Sequence, residues 1–513
     1  MYKASVIIPV YNAEKTLRKC VESLIYGIER NIEILLIDDC SADKSWELCE
    51  KLAVENSNVF CFRNDKNSGV SYTRNKGLDL ASAPFVSFVD SDDWVSSKYV
   101  YTLVKCAADN PEYMPLCGYI FIDNVNGIRS YYGYLNEKTE TVSLGKVFDF
   151  LDRVLLQSLW NKVFKTEIIR NNNIRFDETI TIGEDFQFVL DYFKAAEYSA
   201  FTVISEPLYY YIRANNTSLM SKWDSQSLDK MLSQYDNLYA VFNDSSEEMK
   251  TKLEEYKQKL KYNYVYHVLR NKKYSSNEKK IKLNSLFSES EAKQLFKNQR
   301  ILILKENIVS AVTLLKKFCK RIHGKLQQVK IRYIIGKAQR HLKSDGFSII
   351  SQNCIGGVIY SDMKMQFLSP TINTFIPEPD FIKFVSNLEY YMNQDIVMSW
   401  AEEYPVGLLD DVHVHFMHYD TCSEAKECWE RRKKRIKWNK IFILATDRDG
   451  FNDESYESWK NISYPKILFT TQKKYNEDAL CIPDYIEESQ VGDLITNRQF
   501  YCNKIVINKI NNI

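Results

Sequence analysis

A chain of 513 residues exceeds what one ordinary hydrophobic core organises, and its length points to about two to four domains. With 45% hydrophobic and 26% charged residues it falls among globular proteins, and a formal net charge of +1 speaks against a general nucleic-acid binder, so no nucleic acid is expected as partner. No apolar run approaches the roughly 18 to 20 residues of a membrane span, and the start MYKASVIIPVYN lacks the charged, apolar and small-residue succession of a secretory signal; a cytoplasmic protein is expected. The twelve cysteines are scattered without a C-x-x-C pair, the nearest being Cys422 and Cys428, so they read as mostly buried thiols rather than a zinc ribbon or a disulfide framework.

From residue 4 to about 110, apolar strands alternate with amphipathic helical stretches. ASVIIPVYN, IEILLIDD, NVFCFRND and FVSFVDSD read as strands, with helices starting near Glu14, Asp43 and Ser71. This is the rhythm of a parallel sheet with crossover helices, and the near-continuous Val, Ile and Leu of the first two strands fit burial on both faces. Residues 145–215 continue with LWNKVFK, IGEDFQF and LYYYIRANN, and residues 225 to about 300 read as long, charged, Tyr-rich helices. Between Lys305 and Lys343 there are eleven Lys or Arg and one acidic residue, Glu306, interleaved with apolar residues such as Leu314, Phe318 and Ile322. That composition suits either a basic amphipathic surface touching the inner face of the plasma membrane or a linker helix packed on a neighbouring domain. A second α/β rhythm follows, with FSIISQN, DVHVHFMHYD, KIFILATDRD and KILFTTQKK as strands and SEAKECWERRKKRIKW as a helix. The expected organisation is therefore α/β, with domains at 1–220 and 336–513 and a helical region at 221–335 carrying the basic segment.

Ligands of open parallel sheets sit beyond the carboxyl ends of the strands, which makes the residues there the informative ones. Strand one ends in Pro9, Val10, Tyr11 and Asn12; strand two in Asp38 and Asp39; strand three leads to Gly69, Arg74 and Asn75; strand four ends in Asp90, Ser91 and Asp92. Gly69 permits a turn with positive φ, Arg74 offers a planar fork suited to phosphate, Asp39 an acceptor for the N3–H of a uracil, and Asp92 a ligand for a cation that neutralises a diphosphate. Together they describe a nucleotide-sugar site.

The segments SVIIPVYNAEKTL, LLIDDCSADKS, NSGVSYTRNKGL and FVDSDDW resemble the family 2 inverting glycosyltransferases of the GT-A fold, over residues 4 to about 215. The resemblance implies that Asp39 contacts the base, that Asp92 ligates Mn²⁺ or Mg²⁺, and that Asp90 supports the ribose or the metal shell. It places the acceptor-side E-D pair at Glu184 and Asp185, with Asp185 as catalytic base, and sets Trp160, Lys162, Tyr210 and Arg213 on the acceptor side. The implied partners are a nucleotide-sugar donor, with UDP as default, and a glycan or lipid-linked glycan acceptor; inversion follows from a single in-line displacement. The C-terminal half resembles a bacterial domain of unknown function found in exopolysaccharide-biosynthesis proteins, through FSIISQNCIGGVIY, FLSPTINTFI, YPVGLLDDVHVHFMHY and ECWERRKKRIKW followed by IFILATDRDG. From its residues alone, Gly356 and Gly357 suit a close phosphate approach, Arg431, Arg432 and Arg435 an anion clamp, and His418 with Asp447 acid–base work. His413, His415 and His418 lack a separated fourth ligand for a metal. The expectation is a glycosyltransferase of capsule, exopolysaccharide or O-antigen synthesis whose second domain is another transferase. Two alternatives stand beside it: a second domain that adds a phosphate-linked group, or a glycan-binding scaffold that only retains nucleotide-sugar binding.

Overall fold

The strand segments read from hydrophobic pattern form the first sheet of the computed structural model, in the order β3-β2-β1-β4-β9. The structure describes residues 2–513 apart from 125–126, 134–138, 181, 214–224, 243–246, 272–273, 285–286, 288–289, 291–328, 330, 344–345, 402, 486–487, 489, 493, 495–497 and 499. Strands β1 (Ala4–Val10), β2 (Ile32–Asp38), β3 (Val59–Arg63) and β4 (Phe85–Phe88) run parallel, and the short β9 (Phe164–Lys165) closes the edge antiparallel to β4. Every residue of β2 is buried, as its unbroken apolar run requires of a strand covered on both faces. Because β2 and β3 lie on one side of β1 and β4 on the other, the chain reverses direction across the sheet between β1 and β4. The carboxyl ends of those two strands flank the crevice this reversal opens.

Helices Leu17–Ile25, Ser45–Glu55 and Val70–Leu80 cross over between the strands, within three residues of the starts read from sequence. The last packs closely on β1 at Gly77, where a Cβ would come within 2.4 Å of Ile7 Cγ2. This close seat fixes the height of Arg74, one turn earlier on the same helix.

A second sheet follows, with β5 (Trp94–Val95), β10 (Ala200–Arg213), β6 (Tyr113–Asp123) and β7 (Ile128–Tyr132) in that order, and β8 (Glu140–Ser143) on β10. Its long β6–β10 pairing is parallel and carries register shifts between Ile204 and Tyr209. Helices Ser225–Asp236, Leu238–Phe242, Glu247–Arg270 and Ser276–Asn284 come next. They were expected to form a region of their own. Leu228, Tyr235, Leu253, Tyr264 and Val268 instead join the one hydrophobic core that holds residues of both sheets, which buries the apolar faces of these helices.

The chain divides into two units, Met1–Thr313 and Leu314–Ile513. Most of the basic segment 305–343 lies outside the described residues, which include 329 and the helical stretch 331–341. In the second unit β11 (Ser348–Ser351), β15 (Ile441–Thr446), β16 (Lys466–Thr470) and β17 (Ala479–Cys481) form a parallel sheet. The segment DVHVH is a strand as expected, but β14 (Val412–His415) belongs to a separate antiparallel sheet with β13 (Pro405–Leu409) and β12 (Val397–Trp400).

Candidate active site

The sequence FVDSDDW crowds three aspartates at the end of β4, and the fold gives each a different task. The turn closes as Asp93 N donates to Asp90 O at 3.1 Å, with Ser91 in between. Asp93 is buried: its Oδ2 accepts from Tyr209 Oη at 2.7 Å and its Oδ1 from Ile212 N at 2.7 Å. Tyr209 Oη also accepts from Asp90 N at 3.1 Å. Asp93 therefore ties the turn to β10. Sequence reading assigned it no role, although a third carboxylate beside a D-x-D pair signals such an anchor.

Asp90 is half-buried and accepts from Arg74 Nη2 at 3.4 Å. Asp92 reaches solvent, yet the crowded protein around it and the charge of Asp90 push its carboxyl up to about 6. A folded value above the ordinary 3.8 means that the stability this group contributes is complete below about pH 4 and is lost as pH rises through about 6. Asp92→Asn removes that loss, so the ligand-free variant is expected to melt on the order of 1 °C above the wild type at pH 7.5 and level with it at pH 4, as differential scanning calorimetry would show.

Arg74 is buried, and its guanidinium faces three carboxylates: Nη1 lies 2.6 Å from Asp185 Oδ1 and 3.2 Å from Glu184 Oε1, and Nη2 reaches Asp90. Its ring-facing side lies over Phe176 at 5.5 Å, and Nε makes no hydrogen bond. The fork expected to meet a phosphate thus joins the end of β4 to the first turn of helix Glu184–Ala196. Glu184 is buried, whereas the Asp185 side chain keeps 28% of its exposure. Burial raises Asp185 above the usual carboxylate range; Arg74 draws it down while Glu184 and Asp90 push it further up. Asn75 holds the segment below, donating to Phe176 O and accepting from Phe176 N, each at 2.9 Å. From the helical region, Gln234 Nε2 donates to Gly183 O at 2.7 Å, bracing the residue just before Glu184. Nothing local in the sequence marks Gln234, which lies 51 residues away from the residue it supports.

Asp39 is buried at the end of β2 and accepts three N–H groups: Asn64 Nδ2 at 2.9 Å and Ser68 N at 2.8 Å on Oδ1, and Gly69 N at 2.8 Å on Oδ2. It fixes the loop that leads into helix Val70–Leu80. Gly69 has φ +90°, which disfavours any side chain, and a Cβ there would face open space within 4 Å. On the β1 side, Pro9 and Val10 end the strand, Tyr11 is 50% exposed, and Asn12 accepts from Ala42 N at 2.9 Å. These loops lie at the carboxyl ends of β1 and β2, on the same edge of the sheet as the turn after β4 that carries Asp90 and Asp92.

Three residues expected on the acceptor side belong to the interior. Trp160 is buried and stacks on Tyr209 at 4.4 Å and on Tyr211 at 5.7 Å; Tyr210, on the opposite face of β10, is buried against Trp94. Lys162 is fully buried, its Nζ donating to Ser158 O at 2.6 Å, Asn161 Oδ1 at 2.7 Å and Leu155 O. Burial draws its ammonium down to about 7, and three acceptors match the three N–H of the charged form. Lys162→Met leaves these acceptors bare and is expected to cost about 3 kcal/mol in urea unfolding, with acceptor KM unchanged. Arg213, at the end of β10, is 42% exposed and lies 3.6 Å from Asp123.

In the C-terminal unit the expected constellations separate. Asp447 is buried and accepts from Thr470 Oγ1, Thr471 N, Thr471 Oγ1 and Val491 N, so it braces the end of β16 and is no partner of His418. His418 Nε2 lies instead 3.0 Å from Cys354 Sγ. His413 pairs with Asp380, and His415 faces Tyr404 Oη at 3.4 Å. Arg432 donates to Ile372 O and Tyr419 Oη, while Arg431 faces Cys428 and Glu427 on the exposed side of its helix; with Arg435 beyond the helix end, the three do not form one clamp. Gly356 and Gly357 serve packing, since a Cβ would stand 2.9 Å from Ser351 and 3.1 Å from Ile372.

The parallel sheet, the reversal between β1 and β4 and the carboxylates at the strand ends define a GT-A-type α/β domain. Residues 5–155 match Glycosyl transferase family 2, and the chain belongs to that family; residues 325–513 match a domain of unknown function, DUF1919. The chain is 30% identical to the uncharacterized glycosyltransferase EpsJ of Bacillus subtilis (strain 168), over 47% of this chain and 69% of the relative. It is 33% identical to glycosyltransferase GlyA of Streptococcus pneumoniae serotype 4, over 36% of this chain but 27% of GlyA. Among solved structures, residues 1–349 of TarS from S. aureus, in complex with UDP-GlcNAc, align over 55% of this chain and 79% of that one at 23% identity, with a TM-score of 0.45. By its family, the first unit is that of a glycosyltransferase.

Proposed function

We propose that the first unit transfers a sugar from a nucleoside-diphosphate donor to a hydroxyl of a glycan acceptor, with inversion, in bacterial surface-glycan synthesis. The observation that carries this reading is the pair of carboxylates at the crevice: Asp92 reaching solvent at the end of β4, and Asp185 partly open on the first turn of its helix, with Asp90 and Arg74 between them. The names of EpsJ and GlyA support the class of reaction.

Asp185 has the attributes of a base for a sugar hydroxyl. Its raised affinity for a proton suits proton removal near neutral pH, and Arg74 limits that rise so that the carboxylate form persists. As the acceptor oxygen attacks the anomeric carbon, its proton passes to Asp185, and the positive charge of Arg74 steadies the residue until it does. Asp39 keeps the loop at Gly69 in place for the donor, and Gly69 leaves room there. Asp39 Oδ2, with one N–H bound, retains an acceptor position for a base.

A divalent cation fits Asp92. Mg²⁺ and Mn²⁺ need only one or two protein carboxylates when phosphates complete the shell, and a cation would relieve the repulsion between Asp92 and Asp90. Among the described residues there is no cluster of three or more His, Cys, Asp or Glu able to hold a metal unaided. When bound, Mn²⁺ or Mg²⁺ supplies positive charge against the departing diphosphate.

Release of nucleoside diphosphate across a panel of UDP, GDP and dTDP sugars, with Mn²⁺ and a mixture of short glycan acceptors, tests the reading; no acceptor-dependent release from any donor would overturn it. The acid limb of kcat/KM is expected to fall with an apparent pKa above the ordinary carboxylate range. Arg74→Met removes the charge that draws Asp185 down, so that limb is expected to move to higher pH by about one unit. A limb that stays in place would separate Arg74 from the base.

A further inference from the structure

A cavity of about 300 Å³ opens in the second unit, beyond the carboxyl ends of the adjacent parallel strands β11 and β15. Asn353, Cys354, Phe375, His418, Thr446 and Arg448 line it. Cys354 immediately precedes helix Ile355–Asp362, and its Sγ meets His418 Nε2 at 3.0 Å. A thiol and an imidazole in contact, at the end of a sheet where open α/β folds place ligands, are the two groups of a nucleophile and its base. Burial raises the Cys354 thiol, so the sulfur needs a base at the moment of attack.

Arg448 adds an independent observation. Its Nε is buried without a hydrogen bond. A cation left in this way on the lining of the same cavity as the thiol, where Asp449 is the one carboxylate among the described lining residues, is placed to meet negative charge on a ligand. The amide of Asn353 is loosely engaged as well, its Nδ2 lying 3.5 Å from Thr446 Oγ1. The helix start itself offers no ring of free N–H groups for a phosphate: Ile355 N donates to Asn353 Oδ1 and Gly356 N to Ser351 Oγ, each at 3.2 Å. That distribution favours a carbonyl over a phosphoryl group as the electrophile.

We propose that the second unit carries a covalent acyl-transfer site in which Cys354 is the nucleophile, His418 its base, and Arg448 with Asn353 the donors to the carbonyl oxygen. The donor is an acyl ester or thioester. Sγ attacks the carbonyl carbon, its proton goes to His418 Nε2, and the carbonyl electron pair moves onto oxygen beside Arg448. The oxyanion collapses, the C–O or C–S bond to the leaving group breaks, and that group departs with the proton from His418. A sugar hydroxyl then attacks the thioester, gives its proton to His418 and restores the thiol, so one acyl group moves from donor to hydroxyl without oxidant or reductant.

The test uses the full chain. Under limiting iodoacetamide, peptide mass spectrometry is expected to find Cys354 alkylated about 10-fold faster than Cys481 in the same unit, and His418→Gln to abolish that advantage while Cys481 keeps its rate. Iodoacetate is expected to be favoured over iodoacetamide at Cys354, a preference lost in Arg448→Met. With p-nitrophenyl acetate, an acetyl adduct removable by hydroxylamine is expected on Cys354 and absent in Cys354→Ser. Alkylation of Cys354 at the rate of Cys481, or unchanged by His418→Gln, would overturn the site; rapid alkylation without an acetyl adduct would overturn the acyl assignment.

Discussion

Asp185→Asn is expected to lower transfer on the order of 10³-fold while donor affinity stays within about threefold, because the amide preserves shape but cannot take the acceptor proton. The structure sharpens this expectation. Arg74 keeps Glu184 and Asp90 as partners after the substitution, so the first turn of helix Glu184–Ala196 retains its tie to β4 and its support from Gln234. Calorimetry with the nucleoside diphosphate beside a transfer assay separates the two effects. Parallel loss of binding and turnover would show that Asp185 serves the architecture rather than the proton.

Asp92→Ala is expected to reduce turnover by about 10³-fold, the scale of losing one strong stabiliser of developing charge, without unfolding the protein. Folding survives because the anchor of the turn is Asp93, which keeps its bonds to Tyr209 and Ile212. Near-normal transfer by the purified variant in chelator-treated buffer would remove Asp92 from any metal role. The Asp92→Asn variant adds a second view, since greater thermal stability with loss of turnover marks a carboxylate kept for function at a cost to the fold.

The first sheet was legible because its strands are short apolar runs bounded by turn residues, and each delivers its polar residues at the carboxyl end. The resemblance set Asp90, Glu184 and Asp185 in one crevice, and in the structure Arg74 joins these three carboxylates. What Arg74 touches was not legible. A guanidinium fork matches carboxylate and phosphate equally, and only the packing of helix Val70–Leu80 through Gly77 decides which it meets. Trp160, Tyr210 and Lys162 were misplaced because an alternating aromatic strand looks alike whether its rings face a ligand or one another. Lys162 is the sharper case, since a fully buried ammonium is rare and only three-dimensional acceptors explain it. In the second unit the partner of His418 was missed because Cys354 lies 64 residues earlier, on a different strand's end, and no spacing rule links them. The segment DVHVH gave its strand but not its sheet, as β pattern alone does not say which neighbours a strand pairs with.

The most direct test of the central claim is the anomeric configuration of the product formed from an α-configured nucleotide sugar, read by proton NMR of the purified glycan. One in-line displacement with Asp185 as base predicts a β-linked product at first turnover. An α-linked product would contradict the single displacement and require a second nucleophile in the crevice.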